Sequence, residues 1–278
     1  MSEIIEQVRS ALISAIDQDQ LSLPTLPEVA LNIRETAQDP DVTVAALCKE
    51  IEFDAGLTAR IIKVANSPLF RGNKTIENLR MAVVRLGISY SSNLATGLAM
   101  QQMFQATTDR IDQLLRETWS RSTEVAGYAQ VLAKQCRPLQ PDKASLAGLT
   151  HRIGVLPILT YAEEQRTLLS DQNTLNEVIE AIHPDIGNRI LTAWQFPEEL
   201  SQVPLNYMNF ERQADGGDYS DLITVSALHC AQNTQHPLAQ VNLSAVPAFD
   251  RLALDRSMDP EENGELIEHI ELAVAAMD

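Results

Sequence analysis

The chain has 278 residues, 45% of them hydrophobic and 21% charged, which is enough to bury one large core or two lobes and excludes a disordered segment. Asp and Glu number 38 against 21 Lys and Arg, for a formal charge of −17 and a pI of about 4.6, and this excess repels nucleic-acid backbones and anionic lipid. Cys48, Cys136 and Cys230 are far apart and form no Cys-x-x-Cys pair, so they read as buried thiols rather than as disulfides or metal ligands. Residues 1–17 carry acids and no long apolar core, and no later run is apolar enough to span a membrane. A cytoplasmic protein with no nucleic-acid and no membrane partner is expected.

In chain order the pattern is helical almost throughout. Ile4, Val8 and Leu12, with Ile5 and Ile16 alongside, define an amphipathic first helix. Pro24 and Pro27 break the chain, and Pro27 opens a helix carrying Val29, Ile33 and Ala37. Thr43 caps a helix over 44–53, and Asp54 caps the next, in which Leu57, Ile61, Val64 and Ala65 recur at helical spacing. A further helix is predicted over 75–86 and ends at Gly87. Ala95, Gly97 and Ala99 make the segment after it suited to close helix approach, and Gly97 lacks the glycine spacing of a nucleotide loop, so no cofactor is expected.

A long helix is predicted from Asp109 to about Cys136, stopped by Pro138 and Pro141. A short helix then leads to His151, Arg152 and Gly154, and 155–166 continues after a bend at Pro157. Asn173 or Thr174 caps a helix over 175–182, and His183 with Pro184 starts another through Ile186, Ile190 and Trp194. Pro197, Glu198 and Glu199 open the next, with acids well placed at a helix N-terminus. Residues 213–218, with two glycines, form an exposed loop, followed by a helix through Leu222, Val225 and His229 and an acidic amphipathic helix over 261–278. The fold class read from this pattern is all-α.

Hydrolase and nucleotide motifs are absent: there is no Gly-x-Ser-x-Gly elbow, no Walker loop and no His-Glu-x-x-His. Pairs such as Glu163-Glu164 and Glu261-Glu262 read as solvated helix faces or starts. His151 is followed by Arg152, whose guanidinium is permanently charged and only donates, so this pair cannot ligate a cation.

Leu23-Pro-Thr-Leu-Pro27, Asp39-Pro40, Asp54-Ala-Gly-Leu-Thr-Ala-Arg60, Val64-Ala-Asn-Ser-Pro-Leu-Phe70 and Leu86-Gly87 together resemble the N-terminal signature of the HDOD domain family. Trp119 and Ser122, Gly148-Leu149, His151, Ile153-Gly154, His183, Gly187, Trp194 and Pro197 resemble its second half, so the likeness covers about 21–209. The family is the catalytically degenerate branch of the HD metal-dependent phosphohydrolases. The resemblance implies a two-lobed helical bundle with an HD-like C-terminal lobe, acting as an output or scaffold module in bacterial signalling. The implied organisation is an N-terminal helix over 1–20, an HDOD domain over 21–212 with lobes of about 21–107 and 108–212, and a loop and helical extension over 213–278.

Against the superfamily's metal constellation, the first His falls on Arg121 and the Asp of the doublet on Arg152. His151 and His183 survive, the later His pair falls near Tyr207 and Met208, and the last Asp near Ser226. Two imidazoles are too few for a catalytic divalent site, which needs about three protein ligands and an open position. His151 and His183 therefore read as hydrogen-bonded core or cap residues, and His229 beside Cys230 is a poor substitute because adjacent helical residues point apart.

The resulting expectation is a non-enzyme that holds no metal and meets signalling proteins supplied in trans. Two alternatives stand beside it: a degenerate pocket of Arg121, His151, Arg152 and His183 that senses a small anion or nucleotide, and a residual metal-dependent phosphohydrolase. Two arginines in such a pocket need counterparts, from acids such as Glu124 or Glu177 or from a captured anion. An exposed apolar patch on the first helix, or on the last around Leu266, Ile270 and Val274, would mark a partner surface. Otherwise those helices cap the bundle.

Overall fold

The computed structural model describes residues 2–18, 23–70, 72, 74–232, 234–257 and 260–277, and among them every regular element is helical. Helix α1 (Ser2–Asp17) is followed by a lobe of five: α2 (Glu28–Gln38), α3 (Val44–Ile51), α4 (Ala55–Asn66), α5 (Leu79–Leu86) and α6 (Ile88–Ala99). Their apolar stripes meet in one core through Ala30, Ile33, Leu47, Ile51, Ile61 and Val83. Complete burial of each large aliphatic side chain contributes about 1.5–3 kcal/mol. The helix starts at Thr43 and Asp54 are capped as their sequence suggests: Thr43 Oγ1 accepts from the Ala46 amide at 3.1 Å and Asp54 Oδ1 from the Leu57 amide at 2.9 Å.

The helix predicted from Thr75 starts instead at Leu79. The Asn66 side chain accepts from the Ile76 amide and donates to the Ile76 carbonyl, both at 2.8 Å, and so holds that residue out of a helix. Asn78 then provides the cap, accepting from the Met81 amide at 3.0 Å.

The second lobe is built on α7 (Asp109–Leu132), α8 (Pro141–Thr150), α9 (Val155–Glu164), α10 (Arg166–Ser170), α11 (Gln172–Ala193), α12 (Glu198–Ser201), α13 (Val203–Asn206), α14 (Tyr219–Ala231) and α15 (Ala248–Leu252). Helix α7 stops four residues before Cys136, and tighter turns finish the segment. Pro157 sits in the first turn of α9, where a missing amide breaks no helical bond, so it causes no bend. The two helices predicted on either side of His183 are one continuous α11, capped by Asp171 rather than by Asn173 or Thr174, with Pro184 inside it. Interior proline removes a backbone bond at a cost of about 3 kcal/mol. Burial of Ile182, Ile186 and Ile190 on the same helix offsets that cost.

The two lobes are tied directly. Arg34 of α2 donates to the Trp194 carbonyl at 2.8 Å and lies over the Phe196 ring at 4.4 Å, and the Trp194 indole donates to the Pro24 carbonyl at 2.9 Å. The last helix, α16 (Pro260–Met277), lies across them, with Ala276 in the smaller core, Met277 in the larger and Arg60 of α4 donating to the Met277 carbonyl. Helix α1 docks on α11 through buried Leu12 and an Arg9 bond to the Ala181 carbonyl at 2.8 Å.

Both terminal helices thus cap the bundle. Leu12 and Ile270 are buried and Val8, Leu266 and Val274 partly so, which favours the capping reading over an exposed apolar patch and leaves Ile4 exposed. Asp278 and Leu21 lie outside the described residues. The 213–218 loop is pinned at its base, where Arg212 pairs with Asp218 and both Arg212 and Arg251 converge on buried Asp221 at 2.9 and 2.6 Å.

Candidate functional site

Two glycines let the helices carrying the surviving histidines approach. A Cβ on Gly148 would lie 2.4 Å from the Ala126 Cα, so α8 packs against the α7 backbone. A Cβ on Gly154 would lie 2.1 Å from the His183 carbonyl oxygen, so the turn after α8 sits directly on α11. These contacts bring His151, Arg152 and His183 together, with Arg121 of α7 at the edge of the same small cavity as His151 and Arg152.

His151 ends α8, is fully enclosed, and has its Nδ1 2.6 Å from the Gly148 carbonyl, to which it donates. Arg152 is only 9% exposed, and burial opposes its charge. Tyr207 and Glu180 outweigh that penalty and raise its pKa. The guanidinium forks onto Glu180, at 2.7 and 3.3 Å, and donates to the Tyr207 hydroxyl at 3.3 Å. The Tyr207 hydroxyl in turn lies within hydrogen-bond distance of His183 Nε2, at 3.0 Å, and the Glu180 carboxylate stands 3.7 Å from the same nitrogen. Tyr207 also meets the His151 ring edge-to-face at 4.9 Å, and Thr224 holds its backbone carbonyl at 2.8 Å.

Desolvation, reinforced by the Arg152 charge, lowers the pKa of His151 to about 3 and of His183 to about 4, so both are neutral near pH 7. Burial raises the pKa of Glu180, but His183 and Arg152 outweigh it and keep the group a carboxylate well below its usual range.

The counterpart of Arg152 is therefore Glu180, and not Glu124 or Glu177. Glu124 accepts instead from the Cys230 thiol at 3.1 Å, and that thiol is half-buried rather than buried. Burial, followed by Glu124, pushes its pKa up to about 12. Arg121 remains half-buried with no ion pair among the described residues. It stands with His236 where the inner cavity, about 60 Å³, meets a surface groove of about 540 Å³. Ser226 turns its hydroxyl to the Leu222 carbonyl at 2.7 Å on its own helix.

These side chains do not fit the divalent cation of the HD superfamily. His151 donates Nδ1–H to a carbonyl and keeps a lone pair on Nε2, but His183 Nε2 lies against the Tyr207 hydroxyl, the Glu180 carboxylate is bound to Arg152, and the fixed Arg152 charge repels a cation. Among the described residues no three His, Cys, Asp or Glu side chains converge as metal ligands. The sequence singles out Arg121, His151, Arg152 and His183, whereas Glu180, Tyr207's bridging role and His236 are not legible in it. Glu180 lies one turn before His183, a spacing hidden when a helix boundary is drawn at His183. Nothing in the sequence points to His236.

The HDOD domain family matches this chain over residues 23–209. A proposed metal-dependent phosphohydrolase of Shewanella amazonensis SB2B is 30% identical, each chain covered in full, with a TM-score of 0.86. An HDOD domain protein of unknown function from Geobacter sulfurreducens shares the fold at 20% identity and a TM-score of 0.70, covering 100% of this chain and 99% of that one. An uncharacterised protein of Treponema pallidum (strain Nichols) is 25% identical over 236 residues, 80% of this chain and 44% of its own length. The matched span takes in both signature halves and the whole His151–Arg152–His183–Tyr207 cluster, and the chain belongs to the HDOD domain family.

Proposed function

We propose that the chain is a non-enzymatic module of bacterial signal transduction, working in the cytoplasm through contacts with other proteins. The observation that carries this reading is the internal filling of the site: Arg152 is bound to Glu180 and Tyr207, and Tyr207 to His183. Metal-assisted hydrolysis needs several imidazole and carboxylate lone pairs free to hold the ion that activates water, and here the carboxylate is bound to a guanidinium whose fixed charge repels a cation. The N-terminal lobe carries the two most exposed large apolar side chains among the described residues, Phe53 at 75% and Val84 at 66%, and side chains of this kind supply protein interfaces.

Supplied with manganese or ferrous iron, the purified chain is expected to retain no stoichiometric metal and to leave bis(p-nitrophenyl) phosphate intact. One equivalent of metal by elemental analysis, lost together with turnover in His151→Ala, would overturn the reading. The contact surface has its own check in native cells. Phe53→Ser with Val84→Ser should keep the melting temperature and lose the crosslinked partner, and unchanged crosslinking would move the surface elsewhere.

A second reading, capture of a small anion or nucleotide, is favoured by one feature: a half-buried guanidinium, Arg121, without a carboxylate partner among the described residues, at the mouth of the cavity. Such a charge gains from a phosphate oxygen. Phosphate should then raise the melting temperature of the wild type and not of Arg121→Ala, as binding to the folded state alone requires. Equal shifts in both proteins would remove the anion role. Arg121 suits this test better than Arg152, whose loss would strand Glu180.

A further inference from the structure

On another side of the second lobe, a cavity of about 380 Å³ opens between α16 and the body. Gln135 stands at its α7 side, His229 comes from α14, Asp255 follows α15, and Asn263, Glu265 and His269 project from α16, with leucines between them. The volume lies in the range of small-molecule sites.

His229 is the anomaly. It is only 3% exposed, stacked edge-to-face on Phe249 at 5.3 Å, and neither ring nitrogen has a well-formed hydrogen bond among the described residues. The Asp255 backbone carbonyl is near enough to act on the ring as a weak acceptor, but the contact falls outside ordinary hydrogen-bond geometry. A buried polar group left in this condition costs about 1–3 kcal/mol, which a bound molecule would recover. Desolvation, against a smaller opposing effect of Asp255, lowers the His229 pKa to about 4, so the ring is neutral near pH 7 and has an acceptor to offer.

The charge of the lining selects the ligand. Two carboxylates, Asp255 and Glu265, line the cavity and among the described residues neither Lys nor Arg does, which disfavours phosphates and other anions. Convergence of three ligands on one point, as a metal requires, is absent among the described residues. The donors and acceptors are spread around the walls instead, an arrangement that suits a molecule with its own extent.

We propose that this cavity binds a small organic cation bearing an ammonium or guanidinium group, with Asp255 and Glu265 balancing its charge and His229 accepting one of its N–H groups. The ligand joins α16 to α14 and α15. Because α16 also meets the N-terminal lobe through Arg60, occupancy strengthens the strap across both lobes.

The test uses the full chain with agmatine, which carries both cationic groups, followed by calorimetric titration and thermal melting. Agmatine is expected to bind at one equivalent and raise the melting temperature. Glu265→Gln, an exposed and conservative change, should weaken it, and Asp255→Asn with Glu265→Gln should abolish it. His229→Gln should weaken binding about tenfold, the loss of one hydrogen bond, and Arg121→Ala should leave it intact. Absence of binding, or binding indifferent to Glu265→Gln and the double variant, would reduce the effect to unspecific attraction to an acidic chain and overturn the assignment. Zinc binding with the same residue dependence, in place of agmatine, would overturn it in favour of a metal site.

Discussion

Gly154→Ala is expected to lose about 3 kcal/mol or more of folding stability, at the upper end of what a single added methyl group costs in a packed interior. The new Cβ would stand 2.1 Å from the His183 carbonyl oxygen and 2.5 Å from the Gly187 amide nitrogen. Both are backbone atoms of α11 and cannot rotate aside, so the turn and the helix must separate. Separation would also pull Arg152 from Glu180 and Tyr207, so the local damage spreads into the polar cluster. Gly216→Ala is the control, since a Cβ there meets nothing within 4 Å, and it should be neutral or gain up to about 1 kcal/mol. Urea denaturation followed by circular dichroism separates the two, and equal midpoints would show that the chain absorbs the methyl group by shifting elsewhere.

Folding stability should fall steeply between pH 6.5 and 5. His151, His183 and His229 are held neutral in the folded chain, with pKa values of about 3, 4 and 4. In the unfolded chain each takes up a proton near pH 6.5. The unfolded state therefore binds more protons as pH drops, and stability is fully present above pH 6.5 and lost below it. Each histidine contributes up to about 1.4 kcal/mol per pH unit, or about 2 kcal/mol across this window. Protonation of the excess acids relieves repulsion in the opposite sense, but ordinary carboxylates titrate below the window. The depressed Glu180 adds its own loss at still lower pH, as its unfolded form takes up a proton first. Urea midpoints measured at pH 7 and 5 decide the matter: a flat profile contradicts buried neutral rings, and His183→Gln should give a shallower slope than the wild type.

The sequence by itself determined the helical class, most helix starts and the placing of arginine at two corners of the site. Thr43 and Asp54 cap the helices they precede because a short polar side chain bonds an amide three residues on, a geometry that depends on nothing distant. Arg121 and Arg152 rule themselves out as cation ligands by chemistry alone. The continuity of α11 through Pro184 was decided by tertiary packing, because burial of the surrounding isoleucines overrides the local penalty that made a break there the natural reading. The partners in the site were decided the same way. Arg152 meets Glu180 across 28 residues and Tyr207 across 55, and helical periodicity carries information over only a turn or two. The cavity beside His229 is more remote still, since it exists only where α16 folds back over α7, and the placement of that helix depends on apolar contacts with no local signature.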